Sequence, residues 1–360
     1  MLLTAPPTAD RVLATPAISE RGGGVSVVSR LVWRVFEDAW GKDAALISLG
    51  EATARGLSRS AKFSFGARVA TWQMFRRARW MLFGHLGPAR VQALFPRRFQ
   101  RPYGVLLYGV EAWEPLRAAD RRILRHAHLR IAISAHTAER VMRANPDIGE
   151  VVACPLSLFP EDEAAAAARA DRLTSERDPI VLMVGRLNAA EAYKGHAEMI
   201  AAWPAVLAKH PSARLVIAGE GDDLGRLRDL ARRTGVTRAV DFRGFVSRED
   251  LLELYARSAV FGLPSRGEGF GLVYLEAMAH RLPCIGSRHD AAGDVIVDGT
   301  TGFLVPPEDK AFVAHRINLL LESPALREEM GRAGERRWRE TFTFARFSRQ
   351  LRELIGTHLE

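Results

Sequence analysis

The chain has 360 residues, 48% of them hydrophobic and 26% charged, an ordinary globular composition with length enough for two domains that each bury a core. No window approaches the roughly 18 uncharged apolar residues of a membrane-spanning helix, and the opening MLLTAPPTADRVLATP lacks the basic start and long apolar block of a secretory leader. With only Cys154 and Cys284, a disulfide framework or cysteine metal site is also excluded, and the expectation is a protein of the reducing cytoplasm.

In chain order, strand candidates fall at RVLATP from 11, AALISL from 44, WMLFGH from 80, GVLLYG from 104 and LRIAIS from 129, with helical segments between them. The segment 161–179, EDEAAAAARADRLTSERDP, is Ala-rich and charged and lacks strand formers, so it reads as an interdomain connection. Beyond it IVLMV from 180, RLVIAG from 214, AVDFRG from 239, AVFGLPS from 259 and LPCIGS from 282 alternate with segments of 3.6-residue apolar spacing. The fold class is therefore α/β, with two doubly wound, Rossmann-like domains at 1–165 and 180–340. A last helix, about 341–360, is expected to pack back on the first domain.

Parallel sheets bind ligands beyond the carboxyl ends of their strands, so the residues following each run matter most. Gly185 and Arg186 follow IVLMV, and the next helix opens at Lys194, which places two cations where a diphosphate would be held. Asp222 and Asp223 in GEGDD could hold a metal, but paired aspartates there are more often helix caps. In SRGEGFGLVYLEAMAHRLP, Gly267, Gly269 and Gly271 form a turn, and a helix begins near Phe270 or Gly271. Glu268 then stands in the turn and Glu276 in the second helical turn, at most roughly 12 Å along the axis at about 1.5 Å per residue. Carboxylates so separated suit the sugar hydroxyls and the ribose diol of a nucleotide sugar. A glutamate that merely reaches solvent or pairs with an arginine remains the plain alternative.

VGRLNAAEAYKG, IAGEGDD, VDFRGFVSREDLLELYARSAVFGLPSRGEGFGLVYLEAMA and DGTTGFLVPPED together resemble the nucleotide-binding domain of glycosyltransferase family 4, retaining enzymes of GT-B fold whose two domains face across a cleft. The resemblance runs from about 180 to 325. It implies that Glu268 contacts the transferred sugar and that Gly269, Phe270 and Gly271 offer backbone amides to its hydroxyls. Leu272 would offer its amide to the phosphate, Glu276 would bind ribose, and Arg186 and Lys194 would hold the diphosphate and stabilise it as it leaves. Phe245 and Val246 would border the base. In the first half RVLATPAISERGGGVSVVSRLV resembles the family's opening strand, loop and helix, which directs Gly23 and Gly24 toward the donor or acceptor. FGHLGPAR and YGVEAWEPL resemble acceptor-side segments, making His85, Tyr108 and Glu111 candidates there. Tyr108 departs from the family, many members of which carry histidine, and Arg281 stands where glycine is usual. No metal and no cofactor beyond the nucleotide-sugar co-substrate are expected, and the leaving phosphate can itself take the acceptor's proton.

Charge is uneven: the net +9 divides into +11 in the first 150 residues, which hold 23 Arg and Lys against 12 Asp and Glu, and −2 in the rest. Residues 52–110 carry 11 basic residues and no acid. Nucleic acid, an anionic membrane and a phosphorylated substrate would all answer such a surface, but no nucleic-acid-binding module is recognised. The spacing of Arg68, Trp72, Phe75, Arg76, Arg79, Trp80 and Phe83 would place aromatic and guanidinium groups on adjoining strips of one helix. With the family's lipid-linked acceptors, this predicts peripheral attachment at the inner face of a membrane. The function read from the sequence is sugar transfer, with GDP-mannose favoured over UDP-sugars, to a glycan or lipid-linked hydroxyl. Sugar-nucleotide epimerisation and nucleic-acid binding are the rival readings.

Overall fold

The computed structural model describes residues 9–19, 23–50, 58–75, 78–170 and 177–360, and the chain divides into two compact units, 1–156 with 345–360, and 157–344.

In the first unit the elements are β1 (Arg11–Thr15), α1 (Gly24–Trp40), β2 (Ala44–Ser48), α2 (Arg59–Met74), β3 (Trp80–Phe83), α3 (Leu86–Ala89), β4 (Tyr103–Leu107), α4 (Ala118–His126), β5 (Leu129–Ala132), α5 (Ala135–Ala144) and β6 (Val152–Ala153). The strands pair in parallel in the order β2-β1-β3-β4-β5-β6. Strands β3 and β4 are buried at every position, which explains why they read as unbroken apolar runs. α1 turns Val28, Leu31, Val32, Val35 and Phe36 inward, the stripe that a 3.6-residue period puts on one face. α2 starts at Ser58, whose hydroxyl accepts from the Ala61 amide, and buries Phe65, Val69 and Trp72.

The second unit contains α6 (Pro160–Ala170), β7 (Asp178–Val184), α7 (His196–Leu207), β8 (Arg214–Ala218), α8 (Leu224–Arg233), β9 (Val240–Gly244), α9 (Arg248–Arg257), β10 (Ser258–Leu263), α10 (Leu272–Ala279), β11 (Cys284–Ser287), α11 (Ala292–Val295), β12 (Gly302–Val305), α12 (Lys310–Glu322) and α13 (Pro324–Thr341). Its sheet is again parallel, ordered β12-β11-β10-β7-β8-β9. From β7 the chain winds one way through β8 and β9, then returns to the other side with β10, so the strand order reverses between β7 and β10. The corresponding reversal in the first unit lies between β1 and β3. Crevices of this kind, at the carboxyl ends of the strands, are where doubly wound sheets bind ligands. The last helix, α14 (Phe344–His358), belongs to the first unit from Ala345 onward, where Gln350 donates to the Ala153 carbonyl at 3.1 Å.

Two expectations need revision. The segment 161–179 is no simple tether, because its first part is α6, which packs in the second unit: Asp162 pairs with Arg248 and Glu163 accepts from the Phe344 amide at 2.6 Å. The single helical strip through Arg68 and Phe83 does not form. α2 ends at Met74, Trp80–Phe83 is strand β3, and Trp72, Trp80 and Phe83 are core. Arg55, Arg76 and Arg77 lie outside the described residues.

Candidate functional site

In the second unit the loops after β7, β8 and β10 touch backbone to backbone. A side chain on Gly219 (φ 149°) would overlap the Gly185 carbonyl, and one on Gly195 (φ 84°) the Pro264 carbonyl. Glycine at these positions allows the loops to close up at the strand reversal. Gly185 lies against the Lys194 stem and the His196 ring.

Four charges converge there. Lys194 Nζ reaches Glu268 Oε1 at 2.8 Å, with both side chains largely buried, and lies 3.9 Å from Glu191 Oε2. Arg186, half exposed, reaches Glu191 Oε1 at 2.5 Å. Burial works against the Lys194 ammonium, yet Glu268 and Glu191 outweigh it and raise its pKa. His196, buried and beside Lys194, is driven down to about 4 and is neutral. Arg186, Lys194 and Glu268 are thus brought together as their strand-end positions suggested. Glu191 was not foreseen: its carboxylate lies between the two cations.

The turn that carries Glu268 is held from two sides. Its amide donates to Asp290 Oδ2 at 3.0 Å, its carbonyl accepts from the Ala291 amide at 3.1 Å, and the Tyr193 ring packs against Gly267. Asp290 is buried, and burial pushes its pKa up to about 7 against the hydrogen bonds it accepts from the Ala292 and Glu268 amides. Gly271 (φ 88°) is the N-cap of α10 and Leu272 its first residue, with no side-chain cap on that terminus. An α-helix beginning without a side-chain cap leaves first-turn amides for an anion. The Phe270 side chain is core, edge-on to Phe342 at 5.8 Å, so only its backbone is available to a ligand.

Glu276 lies in the second turn of α10, half-buried. Burial lifts its pKa to about 7, against the pull of a 2.6 Å hydrogen bond from the Tyr255 hydroxyl to Oε2. Tyr255 is fully buried and stacks on His280 at 5.3 Å. The hydrogen-bond partner of this carboxylate is thus a tyrosine. After β9, Phe245 is 69% exposed and Val246 half-buried, so the phenyl ring presents a free face. The aspartates of GEGDD do not cap by side chain, and among the described residues they gather no metal set. Asp222 accepts from the Ala189 amide at 2.8 Å, and Asp223, at the N-cap of α8, forms a two-point pair with Arg226.

In the first unit Gly23 is the N-cap of α1 and Gly24 its first residue, again with no side-chain cap. His85 follows β3. Its Nδ1 accepts from the Gly87 amide at 2.9 Å, and burial lowers its pKa against the influence of Glu111. With Nδ1 an acceptor and the ring neutral, the proton resides on Nε2, so His85 is a hydrogen-bond donor there. The Tyr108 ring lies 5.2 Å from that of His85, with its hydroxyl buried beside Ser29 and its amide donating to Glu111 Oε1 at 2.5 Å. These three candidates form one cluster, with Glu111 acting locally as a loop cap.

Asp290 and Tyr255 escaped sequence reading because each acts through a tertiary hydrogen bond. The strand-end rule could have flagged Asp290, which comes three residues after β11.

Residues 165–337 match the family described as Glycosyl transferases group 1. Glycogen synthase of Mycobacterium tuberculosis is 38% identical over 162 residues, 45% of this chain and 38% of that protein. A GDP-mannose-dependent alpha-(1-6)-phosphatidylinositol monomannoside mannosyltransferase of Mycolicibacterium smegmatis is 30% identical over 233 residues, 62% of this chain and 60% of its own length. The chain thus spans less than two thirds of the length of these curated relatives. Among solved structures, sucrose-phosphate synthase from Thermosynechococcus elongatus superimposes with a TM-score of 0.77 at 20% identity, covering 97% of this chain and 98% of that one. That likeness shows the fold, GT-B with two Rossmann-like domains. Within this chain, residues 165–337 are thus a group 1 glycosyltransferase domain.

Proposed function

We propose that the protein is a retaining, metal-independent glycosyltransferase that moves a sugar from a nucleoside-diphosphate donor to a hydroxyl of a glycan or lipid-linked acceptor. The observation that carries this reading is the convergence of Arg186, Lys194, Glu191 and Glu268 at the strand reversal of the second unit, with Glu276 on the helix that follows. The second unit serves as the donor domain and the first as the acceptor side. On donor binding the diphosphate takes the place of the Glu191 carboxylate on the two cations, and charge developing on the leaving phosphate is stabilised by groups already in position. Glu268, oriented by Asp290 and Lys194, accepts hydrogen bonds from the sugar. Glu276 accepts from the ribose hydroxyls once ionised, the Phe245 ring covers the base, and the Gly271–Leu272 end of α10 faces the phosphates. The departing phosphate oxygen serves as the base toward the acceptor.

GDP-mannose is the favoured donor, supported by the name of the mycobacterial mannosyltransferase, and UDP-sugars are the alternative. That relative's phosphatidylinositol-based acceptor also supports a lipid-linked one here. The exposed Phe63, Phe75 and Leu94, in a stretch without acids, support attachment to an anionic inner membrane leaflet. Thermal-shift titration with GDP-mannose, GDP, UDP-glucose and UDP tests the donor: one base should raise the melting temperature saturably, and no shift with any of the four would reject the nucleotide-sugar reading.

A further inference from the structure

Tyr255 and Glu276 meet across two helices whose carboxyl ends also converge. Tyr255 is in the last turn of α9, and Glu276 is in α10, whose C-cap is His280. The guanidinium of Arg177, the residue ahead of β7, joins those ends. Its Nη1 donates to the carbonyls of Tyr255, Ala256 and Ser258 at 3.2, 3.2 and 3.1 Å, and its Nη2 to that of His280 at 2.8 Å. The last carbonyls of a helix have no partner within it and carry the negative end of its dipole, so one cation with several donors suits both ends at once. Burial and the cations of Arg327 and Arg281 lower the Arg177 pKa to about 10, against Glu328, which leaves the group charged throughout the neutral range.

The same two helices are tied by side chains. The Tyr255 hydroxyl donates to Glu276 Oε2 at 2.6 Å, the Tyr255 ring stacks on that of His280, and His280 Nδ1 lies 2.8 Å from the Glu276 carbonyl. Tyr255 is therefore fixed at its backbone by Arg177 and at its ring by His280, whose own carbonyl the same guanidinium holds. Two further charges act on Glu276 from the elements packed around it: Asp162 of α6 opposes its ionisation, and Arg248 at the start of α9 favours it.

We propose that Arg177 is a positioning residue: by pinning the carboxyl ends of α9 and α10 to each other, it holds the Tyr255 hydroxyl on the Glu276 carboxylate in the orientation that receives the ribose. The ribose contact rests on the transferase reading, whereas the clamp stands without it.

The ionisation of Glu276 in the unliganded full chain reads the clamp. Carbon-13 NMR of protein labelled at the glutamate carboxyls follows it from about pH 5 to about pH 9, with the Glu276 signal assigned by its loss in Glu276→Gln. Tyr255→Phe should raise the midpoint by about one unit, tenfold in the ionisation constant. Arg177→Lys keeps the charge but loses the two-armed reach of the guanidinium, and Arg177→Gln loses both. Each should raise the midpoint by at least about half a unit, threefold in the constant, and combining either with Tyr255→Phe should raise it no further, because both act on one hydrogen bond. Arg257→Ala breaks the exposed pair with Asp178 beside Arg177 and should leave the midpoint in place. A midpoint unmoved in both folded Arg177 variants, a shift that adds in full to that of Tyr255→Phe, or an equal shift in Arg257→Ala would reduce Arg177 to a structural residue and overturn the proposal. Calorimetry with GDP-mannose and UDP-glucose separates the two readings: affinity for the donor should fall about threefold in Arg177→Lys at about pH 6 and stay level at about pH 9. A raised midpoint with wild-type affinity at the lower pH defeats the ribose assignment and leaves the clamp, and an unmoved midpoint defeats the clamp whatever the donor does.

Discussion

Donor affinity should depend on the ionisation of Glu276. The folded protein holds this carboxyl at about 7 because burial disfavours the charge, while the Tyr255 hydroxyl at 2.6 Å favours it. If the ribose hydroxyls bind the carboxylate and not the acid, the competent fraction falls from roughly nine-tenths at about pH 8 to roughly one-tenth at about pH 6, an affinity loss of about tenfold, ~1.4 kcal/mol. A nucleotide sugar, whose diphosphate is esterified at both ends, is the right ligand, since a free diphosphate titrates in the same range. Calorimetry across this window should show weaker binding toward acid, a flat and lower affinity for Glu276→Gln, and a midpoint displaced to higher pH for Tyr255→Phe, which loses the bond that favours ionisation. The sign for the unliganded fold is opposite. A carboxyl raised above its ordinary 4.5 stabilises the fold fully below that value, and the contribution is lost as pH rises through about 7. Donor affinity that is level from pH 6 to 8, or that strengthens toward acid, would refute the assignment of Glu276 to the ribose.

Other consequences follow from the charge cluster and the backbone. Glu191→Gln frees Arg186 and Lys194 from an internal competitor, so nucleoside diphosphate should bind about fivefold tighter, ~1 kcal/mol, and calorimetry showing weaker or unchanged binding would contradict the bridging role. Arg281 holds φ at 57° and pairs with Glu335 at 2.5 Å. Because Arg281→Ala and Arg281→Gly both lose the pair, the glycine variant should be the more stable by about 1 kcal/mol in chemical denaturation, and equal stabilities would mean the backbone is unstrained. Sugar transfer should survive chelation, since the proposed site holds diphosphate with Arg186, Lys194 and backbone amides; activity lost in EDTA and restored by magnesium or manganese would show otherwise.

The parallel strands were legible because sheets covered on both faces leave continuous apolar runs such as WMLF and SAVFGL. β6 has two residues and β12 reads GFLV after a glycine turn, too short or too mixed to stand out. α6 resembled a tether because its alanines and charges lack a strong apolar face, and its attachment depends on Asp162 and Glu163 meeting distant partners. The false helical strip shows the converse. Spacings of three and four persist across the break between α2 and β3, where Trp80 and Phe83 belong to a strand. In the site, Arg186, Lys194, Glu268 and Glu276 could be read from their places after strands and on a helix. Glu191 lies in a short turn of non-helical backbone (φ −114°, ψ 25°), and no periodicity points to its position between two cations.

The central claim is that the second unit's cation–carboxylate cluster cleaves a nucleotide sugar with retention. Proton NMR of the slow transfer to water, using GDP-mannose and UDP-glucose in turn, reads it directly. The account predicts that one donor releases the α-anomer first, before mutarotation, and that Lys194→Ala and Glu268→Ala each suppress the release in folded protein. Initial appearance of the β-anomer, or breakdown of the donor that persists in both variants, would contradict it.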